Sequence, residues 1–264
     1  MWITSITRAL RRSFMDYRWN VVFALIAVTG LGGCRQSDIN SETYDLQRRH
    51  MIRWDVKEKG INSEAVLKAM QEVPRHLFLP EQFREDAYKN EDMPIGHFIT
   101  TPNPFVAAKT IELLNLQPSD KVLEVGTGSG YQTALMAEIA KEVYSIEIVP
   151  EISKAAEKLL QQMNYRNVHC RWGDGYKGWP EQQPFDAILI SASAKEVPAP
   201  LQEQLAMGGR LVMALEGSIP EKLALYRKTP QGLKQEIIMP VNLARMEGKA
   251  ANLPRAANNA DRDH

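Results

Sequence analysis

The stretch Lys121-Val-Leu-Glu-Val-Gly-Thr-Gly-Ser-Gly130 restricts what this chain can fold into more than any other. An apolar run, Val122 to Val125, carries Glu124 within it and meets Gly126; glycines recur at alternate positions, and Tyr131-Gln-Thr-Ala-Leu-Met-Ala137 follows with a helical pattern. The order is strand, tight turn, helix, the opening of a nucleotide-binding α/β unit. Glycines are needed there because a ligand must pack against bare backbone, and because such turns visit dihedrals that a Cβ penalises. The spacing is G-x-G-x-G with Tyr131 after Gly130, so the dinucleotide fingerprint G-x-G-x-x-G does not fit. Roughly twenty residues on, a second apolar run, Val143-Tyr-Ser-Ile-Glu-Ile148, sets Glu147 near a strand end, where a carboxylate can accept both hydroxyls of a ribose.

At 264 residues with 44% hydrophobic content, the chain can bury one sizeable core plus appendages. Its formal net charge is zero and no basic block stands out, which argues against nucleic acid as a partner. Cys34 and Cys170 are too few for a disulfide framework or a zinc site. His50, His76, His97 and His169 lack metal-ligand spacing, and no metal is expected.

Residues 1–33 stand apart from the fold. Arg8, Arg11, Arg12 and Arg18 make a basic opening, Val21 to Val28 is apolar, and Leu31-Gly-Gly-Cys34 follows. The apolar run is short for a bilayer span and reads as a signal peptide. A small-residue pair before a cysteine resembles the lipobox of bacterial lipoproteins, in which Cys34 would be lipidated and lead the mature chain. Arg11-Arg12-Ser13-Phe14-Met15 resembles a twin-arginine export signal. An exported protein, periplasmic or anchored to a membrane as a lipoprotein, is therefore expected; translation from Met51 would make it cytoplasmic instead. Residues 34–50 read as a polar tether.

Residues 51–247 read as one domain. Asn62 or Ser63 can cap a helix carrying Val66, Leu67, Met70 and Val73, which Pro74 stops. Asn103 and Pro104 suit the first positions of a helix from Phe105 to Leu114. A third apolar run, Val168 to Trp172, puts Asp174 at a strand's carboxyl end. Phe185 to Ile190 reads as a buried strand and Ser191 to Ala194 as the loop at its end, whose small residues leave room for a peptide or simply close a loop. Pro200 to Leu205 is a short helix, Arg210 to Leu215 a strand, and Leu223 to Arg227 pairs with Gln235 to Met239. This succession gives an α/β class: a mostly parallel sheet with an antiparallel edge and helices on both faces. The tail, 248–264, is rich in Ala, Asn and Asp and reads as disordered.

Several short motifs then fall in one order: Val73-Pro-Arg-His-Leu-Phe-Leu-Pro80, Ala87-Tyr88, Pro94-Ile-Gly96, the glycine turn with Tyr131-Gln-Thr-Ala134, Val143-Tyr-Ser-Ile-Glu147, Gly173-Asp-Gly175, Gly178-Trp-Pro180, Pro184-Phe-Asp-Ala-Ile188 and Gly208-Gly-Arg-Leu-Val212. From Met51 to about Val241 the chain resembles the protein-L-isoaspartate O-methyltransferase family. The resemblance implies a Rossmann-like methyltransferase fold that uses S-adenosyl-L-methionine. It also implies methylation of the abnormal α-carboxylate of isoaspartyl residues in damaged proteins, which starts their repair, by an enzyme expected to be monomeric. On this resemblance Asp174 and Gly175 form the adenine site. Gly126, Thr127, Gly128 and Gly130 would cradle the amino-acid end of the cofactor and Glu147 its ribose, with Asn103, Phe105 and Glu124 expected on the cofactor's side.

Two departures concern substrate handling. Before the alanine-rich helix the family pattern is T-I-S-x-P, its serine assigned to catalysis, and this chain has Thr100-Thr-Pro-Asn-Pro104, with Pro102 in the serine's place. Thr101, its neighbour, is the candidate for a substitute hydroxyl. The C-terminal pattern V-x-x-V-P-L is here Val241-Asn-Leu-Ala-Arg-Met246, so one wall of the substrate cleft differs. These changes leave room for a same-fold methyltransferase acting on another carboxylate or small acceptor, or for a non-catalytic relative that binds cofactor or peptide. Methyl transfer to a carboxylate itself asks for no general base, because a carboxyl with an ordinary pKa of roughly 3.5 to 4 is already ionised at neutral pH.

Overall fold

The computed structural model describes residues 35–217 and 219–249. The expected signal peptide at 1–33, the lipidation site Cys34 and residues 250–264 of the tail lie outside the described residues. The chain divides into two units after Ser41; of the first, residues 35–41 are described and are helical.

That helix, α1, runs Arg35–Met51, which corrects the expectation of a tether over 34–50. The stretch is polar but holds neither glycine nor proline, so nothing in it breaks a helix. Its later part belongs to the folded unit: Tyr44 stacks on His76 with ring centroids 4.0 Å apart, and Met51 is fully buried. Helix α2 follows at Glu64–Glu72, and the Ser63 hydroxyl caps it by accepting from Val66 N at 3.4 Å. A short hairpin, β1 (Met93–Gly96) and β2 (Ile99–Thr101), precedes α3 (Pro104–Leu114).

The alternating part then runs β3 (Lys121–Val125), α4 (Tyr131–Ala137), β4 (Glu142–Glu147), α5 (Pro150–Gln162), β5 (Val168–Trp172), β6 (Phe185–Ala194), α6 (Ala199–Gln204), β7 (Leu205–Leu215), β8 (Glu221–Thr229) and β9 (Gly232–Val241). The sheet order is β5-β4-β3-β6-β7-β8-β9; β5 through β7 are parallel, while β8 and β9 add an antiparallel edge. Strand β6 is longer than its sequence suggests, because Ser191 to Ala194 continue it beyond a register shift rather than forming a loop. The chain winds outward from β3 through β4 to β5, then returns to lay β6 on the other side of β3. That reversal opens a crevice at the carboxyl ends of β3, β4 and β6.

Alternate residues of the central strands feed two apolar layers. Val122, Ala187, Leu189, Val212 and Ala214 face the layer that holds α2, α3 and α4; Leu123, Val125, Ile188, Ile190, Leu211 and Met213 face the one that holds α6 and Trp179. Burial on both faces explains why these strands read as continuous apolar runs. Below the sheet's far end, Arg210 donates to the carbonyls of Leu114, Asn115 and Asp186 and, at 2.6 Å, to Asp120 Oδ2, closing the ends of α3, β3 and β6 around one guanidinium.

Glu124, expected on the cofactor's side, faces the interior of β3. It is wholly buried; its Oε2 accepts from the hydroxyls of Thr133 at 2.5 Å and Ser145 at 2.6 Å, while Oε1 has no partner among the described residues. Burial pushes this carboxyl up to about 8, with the two hydroxyls pulling the other way and Glu147 adding to the rise. Folded, it keeps its proton where an unfolded carboxyl has lost it. The stability it contributes is therefore complete below the ordinary value near 4.5 and is lost as pH rises to about 8. His76 has the opposite sign: burial and the nearby Arg48 and Arg84 push it down to about 4, so its contribution is present above 6.5 and lost as pH falls. Between pH 6.5 and about 8 the Glu124 slope stands alone of the two. In urea melts the unfolding midpoint should fall across that window, and Glu124→Gln should flatten the decline. An equal decline in both proteins would remove the assignment.

Candidate active site

The crevice holds a cavity of about 960 Å³ counted to its open mouth, within the range of small-molecule sites. Its floor is the turn between β3 and α4. Gly126 (φ 96°) and Gly128 (φ 53°) sit in the left-handed region, which a side chain would strain. Gly126 also packs against β6: a Cβ there would lie 3.4 Å from Ser191 Cβ. The turn is tied down by bonds from Gly126 N to Ile146 O at 2.8 Å and from Gly130 N to Thr127 O at 2.9 Å.

Glu147, at the end of β4, is 4% exposed and lines this cavity. Its Oε2 accepts from Gly128 N at 2.9 Å and its Oε1 from Val149 N at 3.0 Å, so the carboxylate bridges the glycine turn and the start of α5. Thr127 lines the cavity too, and its hydroxyl meets the Ser145 hydroxyl at 2.6 Å, joining it to Glu124 beneath. Ile146, Ile148 and Gly175 form an apolar end. Gly175 approaches β3 so closely that a Cβ would fall 2.3 Å from Val125 Cγ1.

Opposite the turn, Ile99 to Pro102 form a wall. Thr101 is 4% exposed and paired with Met93, and Pro102 follows it. The wall is held from behind by Arg75, fully buried, which donates to Pro102 O and Ala87 O, both at 2.9 Å, and lies 4.8 Å from the centre of the Tyr131 ring. The tip of the β1–β2 hairpin puts His97 (φ 51°) and Phe98 (φ 60°) in the left-handed region with the Phe98 ring fully exposed. Beside it a shallower apolar groove, lined by Leu79, Pro80, Ile95, Ile152 and Leu159, shares Gly128 and Ser129 with the cavity.

Of the residues expected on sequence grounds, the structure thus gathers Thr101, Pro102, Gly126, Thr127, Gly128, Glu147 and Gly175 on one cavity. Gly130 stands behind the turn as the N-cap of α4. Four others do not line it. Glu124 is buried beneath it. Asn103 is spent on α3, its Oδ1 accepting from Val106 N while its amide donates to Asp92. Phe105 packs against the core. Asp174 caps the turn after β5 by accepting from Tyr176 N, and its other oxygen accepts from Lys249 N, both at 2.9 Å.

That last bond lies just beyond the C-terminal wall, which the family resemblance anticipated at Val241 to Met246. Residues Asn242 to Glu247 form the remaining wall, clasped to β6 by bonds from Ser193 N to Ala244 O and from Met246 N to Ser193 O, each 2.8 Å. Gly248 then presses on Asp174, where a Cβ would fall 2.7 Å from its Cγ. Beside that resemblance, the residues themselves give one signal: Met246, which is 6% exposed in the second apolar layer.

A cradle of bare glycine backbone, a carboxylate at the next strand end and an apolar slot beyond it fit a nucleoside carrying an amino-acid arm, the shape of S-adenosylmethionine. Comparison with known proteins agrees. The family model for Protein-L-isoaspartate(D-aspartate) O-methyltransferase matches residues 46–249. The chain is 43% identical over 192 residues to a protein-L-isoaspartate O-methyltransferase of Gloeobacter violaceus, covering 72% of this chain and 94% of that one. It is 44% identical over 214 residues to such an enzyme of Nitrosospira multiformis, covering 80% and 91%. Among solved structures, a protein-L-isoaspartate O-methyltransferase superposes with a TM-score of 0.69 at 26% identity over 77% of this chain and 67% of that one. A Plasmodium falciparum chain described as such an enzyme, in complex with S-adenosyl-L-homocysteine, shares the fold with a TM-score of 0.66 at 23% identity, covering 77% and 98%. The chain belongs to the protein-L-isoaspartate(D-aspartate) O-methyltransferase family.

Proposed function

We propose that this protein transfers the methyl group of S-adenosyl-L-methionine to the α-carboxylate of isoaspartyl residues in damaged proteins. The observation that carries the reading is the glycine cradle set beside Glu147 at the switch point of the sheet, in a chain of this family. When bound, the cofactor supplies an electrophilic methyl group. In this reading Gly126, Thr127 and Gly128 would hold its amino-acid arm, Glu147 would accept from its ribose, and the end of the cavity at Ile148 and Gly175 would take its adenine. Glu124 acts from below, fixing Thr127 through Ser145. No residue need take a proton, because the acceptor carboxylate is ionised at neutral pH. The chain's share is alignment, and the wall of Thr100, Thr101 and Pro102 sets where the acceptor lies.

Export and lipid attachment at Cys34 complete the proposal, supported by the basic opening, the apolar run and Leu31-Gly-Gly-Cys34. Such an enzyme serves proteins of the cell envelope. A lipidated cysteine supplies the two acyl signals that stable anchoring needs.

Three measurements test these readings. Gly128→Val should abolish binding of S-adenosylhomocysteine in calorimetry, since the side chain fills the cradle and strains a left-handed turn (φ 53°), while a circular-dichroism spectrum and urea midpoint close to the parent's separate loss of the site from loss of the fold. Undiminished binding would refute the placement of the cofactor's arm. Pro102→Ser should raise turnover on an isoaspartyl peptide by on the order of 10²-fold at unchanged cofactor affinity, the effect of restoring one positioned donor. If the parent ignores isoaspartyl peptides and the variant gains nothing, the substrate assignment is wrong. Finally, the mature chain should fractionate with membranes and Cys34→Ser should change its processing; mass spectrometry finding an unprocessed N-terminus at Met51 in cells would remove export.

A further inference from the structure

The C-terminal wall contributes one group that the reaction as described does not use. Arg245 is exposed and, among the described residues that line the cavity, is the only cation. It has no ion-pair or side-chain hydrogen-bond partner among the described residues. The other charged lining residues are Glu147, whose oxygens are engaged by backbone donors, and Glu247. Arg245 forms a backbone bridge with Ser193 at the end of β6. Two hydroxyls in that strand end, Ser191 and Ser193, are buried with no hydrogen-bond partner among the described residues, and Ser191 lines the cavity beside the glycine turn.

The cavity wall thus carries one exposed guanidinium and, at Ser191, a buried hydroxyl that is incomplete as a piece of protein. Buried polar groups are ordinarily paired, and an unpaired one costs free energy that a ligand can relieve. An arginine fork matches a carboxylate in geometry and charge. Resting on the reading of the function above, we propose that Arg245 recognises the isoaspartyl α-carboxylate, with the Ser191 hydroxyl as its partner in the site. It does so from the chain position where the family pattern V-x-x-V-P-L carries proline. Held this way, the carboxylate keeps a lone pair on one oxygen free to attack; the new oxygen–carbon bond forms as the carbon–sulfur bond breaks, and its electron pair leaves on sulfur. The clamp also explains how a chain without the family's serine can still seat its acceptor, leaving to the missing hydroxyl a share in turnover rather than in binding.

The test sets Arg245→Gln against two peptides that differ only in the isoaspartyl α-group, a carboxylate in one and a carboxamide in the other. Inhibition by the carboxamide peptide reports on contacts other than the charge. The expected result is a KM for the carboxylate peptide raised by on the order of tenfold to a hundredfold, as for lost hydrogen bonds to a charged group. The inhibition constant of the carboxamide peptide and the affinity for S-adenosylhomocysteine should stay within about twofold of the parent, and Arg245→Lys should recover part of the loss. Equal weakening of both peptides, an unchanged KM, or a loss that falls on S-adenosylhomocysteine instead would overturn the assignment while leaving the methyltransferase reading intact. A parent that does not methylate the isoaspartyl peptide at all would overturn both.

Discussion

The bond from Gly128 N to Glu147 ties together two strand ends that come from separate βα units. It requires β3 and β4 to lie in the register that opposes Val125 to Ile146, since a slip of one residue would turn Glu147 to the other face of the sheet. It also requires Gly128 to present its N–H outward from a left-handed turn. Once both hold, the turn, the start of α5 and the cavity floor become one object. The hydroxyl chain from Thr127 through Ser145 to Glu124 repeats the coupling one layer down, again across β3 and β4.

The opposite wall obeys a different economy. Thr101 and Pro102 belong to a short hairpin with little sheet to hold it, and the fixing comes from a buried guanidinium that reaches the Pro102 carbonyl. Arg75 stacks on Tyr131, the first residue of the helix that the glycine turn opens, so floor and wall share a support. A side chain that touches neither cofactor nor acceptor in the proposed site thus sets the gap between them.

How much of this was legible depends on range. Val122 to Val125, Val143 to Ile148 and Phe185 to Ile190 announced parallel strands because burial on both faces leaves a local trace, a run without polar alternation. The glycine turn was equally plain. The sequence is ambiguous where one short polar residue can serve two ends: Asn103 and Asp174 suit a helix cap as well as a ligand, and in the fold both make caps. Glu124 misled for a related reason, since a carboxylate one residue from Val125 stands near the cavity in sequence while the alternation of the strand turns it inward. Ser191 to Ala194 looked like a loop because small residues carry no strand signal; the pairing with β7 that extends β6 is non-local. The wall from Asn242 to Glu247 has no periodicity and was legible only through the family pattern; its place follows from backbone bonds to Ser193 and, just beyond it, from the bond of Lys249 N to the Asp174 carboxylate.

That wall has a consequence for the birth of the protein. The glycine turn leaves the ribosome more than a hundred residues before Met246 does, so the β3–β6 half of the sheet can form while the crevice is still open along one side. A nascent chain at that stage would present a solvated groove and two unclasped strand ends. Closure comes with the last contacts to be synthesised, among them Lys249 N on Asp174 across 75 residues, and pairings at such separation are slow to form. Competence to hold a small molecule therefore arrives as a final event in maturation, directly after the last strand has been made, and a chain clipped between Val241 and Met246 would keep every strand of the sheet while lacking one side of its site.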